Sequence, residues 1–423
     1  METEAPYDTI IVGSGIAGLY TAVEVLRRHP RSRVAVFEKY KNLGGRVYTF
    51  RQTIEGKALQ WEGGAGRISE NHTRILDLLK RYKLTFQRIG GTIQYKDTYT
   101  SALEPDIFES GIPVFMDTLH ALPAAELQKH TIRQLLTRLH GAKQANTYLI
   151  RFPYRAEVNV MRADMALRLF SREFRKDEEY GICAEGLSAL IGAMRDDATK
   201  RGVTFYREYT LVDVEENKEV LATFEHDSEQ VRIRGKQIIL ALPSEALKHV
   251  KPFAKWHVLR HLTMEPLLRF YGAFPKENGA VWYERYGGRI VTSEPVRYII
   301  PGNTDVGSMH MSYTDTQDAQ FWIQKLKTEG EKRVGEEMVS ELRRLLQPSI
   351  PPPYFIKAHA WDHGVTYWLP GAYDPVELSK EALRPFAAMP NVHVVGESFS
   401  LRQGWMEGAV EHAAQLCTSI LKG

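Results

Sequence analysis

The sequence predicts an α/β protein of two domains: a discontinuous nucleotide-binding domain of Rossmann type, and a mixed sheet-plus-helices domain between its pieces. Three observations carry this. Gly13, Gly15 and Gly18 follow the apolar run Ile10-Ile11-Val12 at G-x-G-x-x-G spacing and precede a helical pattern. Glu38 closes a second apolar run, Val34 to Phe37, about twenty residues on, where such folds place an acid. A third apolar run, Val392 to Val395, ends in Gly396-Glu397 and leads through Gly404-Trp405 into a last helical pattern.

The first strand is expected over 8–13, a helix over 16–28 ending before Pro30, and a strand over 33–38. Gly13 permits the tight turn, Gly15 lets backbone approach a pyrophosphate, and Gly18 lets helix pack on strand. The helix start at Ile16 and Ala17 then offers unpaired N–H groups and a positive dipole end to phosphates. Glu38 would accept hydrogen bonds from ribose hydroxyls. Further on, periodicity predicts helices over 70–83, most of 117–177, and 186–200, with a short β segment near 91–101. Strands are expected near 203–214, 219–226, 237–243, 267–274, 281–301, 307–314 and 391–396. A long helix or helix pair is expected over 317–346 and a last helix over 405–421. This divides the chain into a nucleotide-binding domain of 1–75, 186–250 and 385–423, and a second domain of 76–185 and 251–384 with a helical insertion near 117–177.

Composition narrows the function classes. Of 423 residues, 43% are hydrophobic and 25% charged, an ordinary globular balance. The formal net charge of +3 argues against nucleic acid and anionic membranes as partners. Cys183 and Cys417 lie far apart, outside any metal-binding spacing, so neither a disulfide nor a metal site is expected. No stretch of about 18 uninterrupted apolar residues spans a bilayer, and no signal-peptide pattern opens the chain. The expectation is a soluble, cytoplasmic protein, with a homodimer left open.

Leu43-Gly44-Gly45-Arg46 follows the Glu38 strand and offers backbone and a guanidinium to phosphates. With the fingerprint and the segment Gly396-Glu397 to Gly404-Trp405-Met406-Glu407-Gly408-Ala409, it resembles the flavin-containing amine oxidase family, which includes monoamine, polyamine and L-amino-acid oxidases. The resemblance implies FAD as cofactor. It assigns contacts to Gly13, Gly15, Ile16, Ala17, Gly18, Glu38, Lys39, Gly45, Arg46, Gly64, Ala65, Gly66 and Arg67. Leu211 and Val212 fall where the family meets the adenine through backbone. Gly396 and Glu397 fall along the ribityl chain, and Gly404, Trp405 and Met406 at the helix start that stabilises reduced flavin.

The same resemblance implies roles at the reacting centre. Trp405 and Tyr373 match two aromatic rings that flank the substrate nitrogen. Ala372 stands where monoamine oxidases carry the tethering Cys, so FAD is expected to be non-covalent. Arg269 replaces a Lys linked to flavin N5 and oxygen reactivity; Lys255 is a candidate substitute. Arg67, within Gly64-Ala65-Gly66-Arg67, resembles the Arg with which L-amino-acid oxidases bind the substrate carboxylate. Contact with cofactor phosphate or a structural carboxylate is the alternative. His72 and His412 are read as satisfied helix residues rather than bases. The implied reaction removes hydride from the carbon bearing an amine, in an L-amino acid. It gives an imine, then an oxo acid and ammonia, with molecular oxygen as acceptor and hydrogen peroxide as product. An amine or polyamine oxidase with Arg67 structural is the alternative. A flavin-bearing binding or scaffold protein with little turnover is the alternative of another class.

Overall fold

Five parallel strands lie side by side in the order Thr204–Arg207, Val34–Glu38, Tyr7–Val12, Glu229–Leu240 and Val392–Val394. They belong to a computed structural model that describes residues 5–90, 92–97, 103–104, 112–173 and 179–420. Ile11 pairs with Val36 on one side and Ile239 on the other, and Ile239 pairs in turn with His393. The C-terminal strand is thereby two strands away from the glycine fingerprint. Because successive side chains point to opposite faces, Ile10, Val12, Phe37 and Leu240 enter one core, while Ile11, Val36 and Ile239 enter another. Both faces are covered, which is why these strands read as continuous apolar runs. The second face is closed by helices Ile16–Arg28, Leu187–Lys200 and Met406–Ile420 through Leu19, Val23, Leu190, Met194, Val410 and Ala413. The first half of Glu229–Leu240 also pairs antiparallel with Val220–His226, which pairs with Thr210–Glu216.

A second seven-stranded sheet runs Phe355–Trp368, Leu262–Ala273, Ser308–Asp315, Tyr298–Pro301, Gly288–Thr292, Thr92–Lys96 and Leu103–Glu104. Thr316–Leu345 packs on it through Trp322, Met338 and Leu342. Gly330, at φ 81° and ψ 162°, breaks that span into a pair of helices. A three-stranded sheet joins Ile68–Ser69 and Phe86–Ile89 to Tyr180–Cys183.

Several elements differ from the sequence pattern. Strands predicted over 281–301 are confined to Gly288–Thr292 and Tyr298–Pro301, and a 3-10 turn occupies Glu284–Tyr286. Phe355–Trp368 is a 14-residue strand that periodicity does not announce. It is an edge strand whose first two-thirds are half-buried or exposed, so Lys357, Asp362 and His363 are tolerated in it, while His359 accepts from the Trp61 N–H and stacks on Phe50. Helix Pro375–Ala382 also lies outside the predicted elements, although its Asp374 cap and Pro375 at the first turn are a legible start signal. The helix expected over 70–83 begins at Thr73, and the helical block 117–177 is described as far as Glu173; residues 174–178 lie outside the described residues. Among the described residues no helix is long and apolar enough to cross a membrane, and no group of three His, Cys, Asp or Glu could hold a metal.

Candidate active site

The first loop forms a cradle. Gly13 has φ +96°, and a Cβ there would sit 2.5 Å from the Ala241 carbonyl oxygen. A Cβ on Gly18 would collide with the Gly13 carbonyl, so both glycines are fixed by backbone crowding. Gly15 is different: an added Cβ would meet no described atom within 4 Å. It opens onto free space at the start of the helix whose first residues are the buried Ile16 and Ala17. That opening beside unpaired helix N–H groups fits a pyrophosphate. Glu38 points back at the loop, its Oε2 accepting from the Ser14 N–H at 2.8 Å and hydroxyl at 2.6 Å, its Oε1 from the Tyr40 N–H at 3.0 Å. Lys39 is exposed. Leu211 is buried, and a register shift between Leu211 and Asp213 leaves Val212 out of the ladder, its carbonyl accepting from the Lys251 N–H at 3.0 Å.

The two ends of the chain meet over this cradle. The Gly44 N–H donates to the Ser14 carbonyl at 3.1 Å, and Gly45 lies against Gly15. Arg46 forms a 2.9 Å ion pair with Glu397 and donates to the Gly364 carbonyl at 2.8 Å. Glu397 also accepts from the Thr366 N–H and hydroxyl and from the Gly404 N–H. The Arg46 carbonyl accepts from the Ala65 N–H at 2.9 Å, and a Cβ on Gly64 would strike that carbonyl. The loop 64–66 is therefore pinned to Arg46 and delivers Arg67 next to it in sequence. Gly396 (φ +133°) and Gly404 (φ +82°) turn the chain around Glu397, and Met406 opens the last helix, buried.

Trp405 leads from this junction to the arginines. Its ring stacks on Tyr180 at 6.0 Å and receives the His72 ring edge at 4.8 Å. His72 is held by Glu173 at 3.0 Å, which also takes Arg402 at 3.0 Å, all three buried. His412 is buried with both ring nitrogens bonded, to the Gly396 N–H and the Ser379 carbonyl, and burial pushes its pKa down to about 4. Both histidines are structural in this arrangement, and Lys255 is exposed on the surface.

Arg67 is half-buried, its guanidinium set among aromatic rings. Its Cζ lies 5.6–6.0 Å from the rings of Tyr154, Tyr180, Tyr298 and Tyr313, and it donates to the Tyr154 hydroxyl. Among the described residues it has no carboxylate partner. Arg269 lies 5.1 Å from the same Tyr313 ring. The surrounding groups do not neutralise this pair. Burial, then the neighbouring Asp315 carboxylate, pushes Glu157 up to about 8, and its Oε2 has no partner. Burial and the two arginines hold His310 well below its ordinary range; burial, Lys357 and Arg269 hold His359 down to about 4.

Tyr373 is not part of this group. Its hydroxyl donates to the Leu369 carbonyl, Arg162 sits 4.4 Å over its ring, and His261 packs at 4.1 Å. It shares no ring contact or hydrogen bond with Trp405. The strand Phe355–Trp368 passes Arg46 and Glu397 earlier, with Gly364 and Thr366 bonded to them and Val365 3.4 Å from where a Gly404 Cβ would be. The chain has turned away by Ala372, which is exposed. The tyrosines around Arg67 and the segment Gly364–Thr366 are the site residues that the sequence pattern does not single out. They come from separate elements, and only tertiary pairing assembles them.

Residues 16–421 match the family model described as flavin containing amine oxidoreductase. The chain is 24% identical to an L-amino-acid oxidase of Siganus canaliculatus, over 98% of this chain and 85% of that one. It is 21% identical to a putative L-amino-acid oxidase of Bacillus subtilis (strain 168), over 99% and 95%. Among solved structures it is similar to cyclohexylamine oxidase from Brevibacterium oxydans (TM-score 0.76, 18% identity, 99% of both chains). It is also similar to a putrescine oxidase bound to putrescine (TM-score 0.75, 17% identity, 99% of this chain and 100% of that one).

Proposed function

This chain belongs to the flavin containing amine oxidoreductases, an FAD-dependent oxidase family, and on that premise we propose that it oxidises an L-amino acid or a closely related amine that carries a carboxylate. The observation that carries the proposal is Arg67, a guanidinium with tyrosines on its sides and no ion-paired carboxylate among the described residues. A buried charge without a counter-charge is costly, and a substrate carboxylate supplies the missing partner at about 1.5–3 kcal/mol per charge-assisted bond. The names of the sequence relatives, L-amino-acid oxidases, support the same class.

The residues divide the work. Gly15, Glu38, Arg46 and the backbone at Val212 and Met406 would hold FAD, without a covalent link: neither Gly364, Val365 nor Thr366 at the Arg46–Glu397 junction is a cysteine. Bound FAD supplies the two-electron oxidation of the carbon bearing nitrogen. Arg67 fixes the carboxylate and so the position of the neighbouring carbon. Trp405, braced by Tyr180 and His72, limits where the nitrogen can lie and favours it by about 0.5–2 kcal/mol. The released imine hydrolyses to an oxo acid and ammonia, and oxygen is the acceptor, giving hydrogen peroxide.

The test compares an amino acid with its decarboxylated amine in Arg67→Ala. The expected result is a large rise in KM for the amino acid and a small one for the amine. Equal losses on both would make Arg67 structural.

A further inference from the structure

The carboxylate reading uses Arg67 and makes no use of Arg269. Arg269 comes from the strand Leu262–Ala273, is 7% exposed, and its Nε has no partner. Its one hydrogen bond among the described residues runs from Nη1 to the Tyr271 hydroxyl at 3.5 Å, a long and weak contact. That hydroxyl is itself committed, donating to the Glu62 carbonyl at 2.7 Å. The guanidinium also reaches the loop that carries Arg67: a Cβ at Gly66 would lie 2.8 Å from Nη1. Glycine at 66 therefore makes room for Arg269 immediately beside Arg67.

Both guanidinium groups flank one ring, Tyr313, at 5.1 Å from Arg269 and 6.0 Å from Arg67. Neither pairs with an acid among the described residues. The Glu62 carboxylate is turned to the Thr49 hydroxyl and the Leu187 N–H instead. The site thus holds two positive charges in a protein interior, where buried charges are ordinarily paired. The Arg269 charge reaches the Glu62 carboxylate without an ion-pair contact, so one carboxylate on Arg67 would leave Arg269 with no acid in direct contact.

We infer that the substrate is an acidic amino acid, held with its α-carboxylate on Arg67 and its side-chain carboxylate on Arg269. This rests on the proposed carboxylate role of Arg67. It goes further in naming the side chain. Burial first, and then neighbouring positive charge including Arg269, holds His310 and His359 below the ordinary histidine range.

The experiment follows anaerobic bleaching of the bound flavin by L-glutamate and L-aspartate against L-glutamine and L-asparagine, which differ only in the side-chain charge. The acids are expected to reduce the flavin with a second-order rate constant roughly tenfold or more above that of their amides. Arg269→Leu is expected to collapse that ratio and Arg269→Lys to restore part of it. Binding gives a readout without turnover: glutarate is expected to raise Tm of the holoenzyme more than butyrate at equal concentration, and this needs no variant. Acids and amides of equal efficiency, or a ratio that survives in Arg269→Leu, overturn the inference and leave the carboxylate role of Arg67 standing. Bleaching by decarboxylated amines alone overturns both.

Discussion

Arg46, from the N-terminal glycine-rich segment, and Glu397, from the C-terminal one, form a 2.9 Å ion pair. The pair ties the first nucleotide-binding loop to the chain's last strand–helix unit. Glu397 is 7% exposed and has three other donors, so Arg46→Ala leaves it partly satisfied. The expected loss is about 1–3 kcal/mol of stability, with weaker FAD retention. Urea unfolding and FAD titration of the apoprotein measure the two effects.

Gly15 and Gly18 separate cofactor binding from folding. Gly15→Ala adds a methyl group to open space and is expected to leave apoprotein Tm nearly unchanged while weakening FAD binding. Gly18→Ala pushes a methyl into the Gly13 carbonyl and is expected to cost about 1–3 kcal/mol in the apoprotein itself. Thermal melts with and without FAD distinguish them.

Glu157 gives a pH dependence with a definite sign. Burial, with Asp315 beside it, raises its folded pKa from 4.5 to about 8. The stability it contributes is complete below 4.5 and is lost as pH rises through about 8. Wild type is therefore expected to lose stability relative to Glu157→Gln across that window, read from urea midpoints at stepped pH. Ionised Glu157 also competes for Arg67, whose charge reaches it. Binding of a simple carboxylate should weaken on the alkaline side in wild type, and not in the variant.

Tyr373 and Trp405 are expected to differ in kind. Tyr373→Phe removes the hydrogen bond to the Leu369 carbonyl and should lower stability by about 0.5–1.5 kcal/mol, with KM little changed. Trp405→Ala removes the ring between Tyr180 and His72 and should raise KM. Steady-state kinetics beside thermal melts separate the two.

These contrasts trace what local pattern encodes. Gly13, Gly15, Gly18 and Glu38 are legible because one strand, turn and helix needs those residue types at fixed spacing. The segment from Gly396 to Ala409 is legible for the same reason. The ring of Tyr154, Tyr180, Tyr298 and Tyr313 around Arg67 is not, since its members lie on four separated segments. The strand Phe355–Trp368 is hidden by polar residues that a partly exposed edge admits. Tyr373 packs with Arg162 and His261, whereas Gly364 and Thr366 are the residues of this segment bonded to Arg46 and Glu397.

The most direct measurement is anaerobic reduction of the flavin in purified wild-type holoenzyme by matched pairs of L-amino acids and their decarboxylated amines. The account predicts bleaching by amino acids at far lower concentration than by the amines, with the advantage abolished in Arg67→Ala. Bleaching by the amines alone, or none by either class, would contradict it.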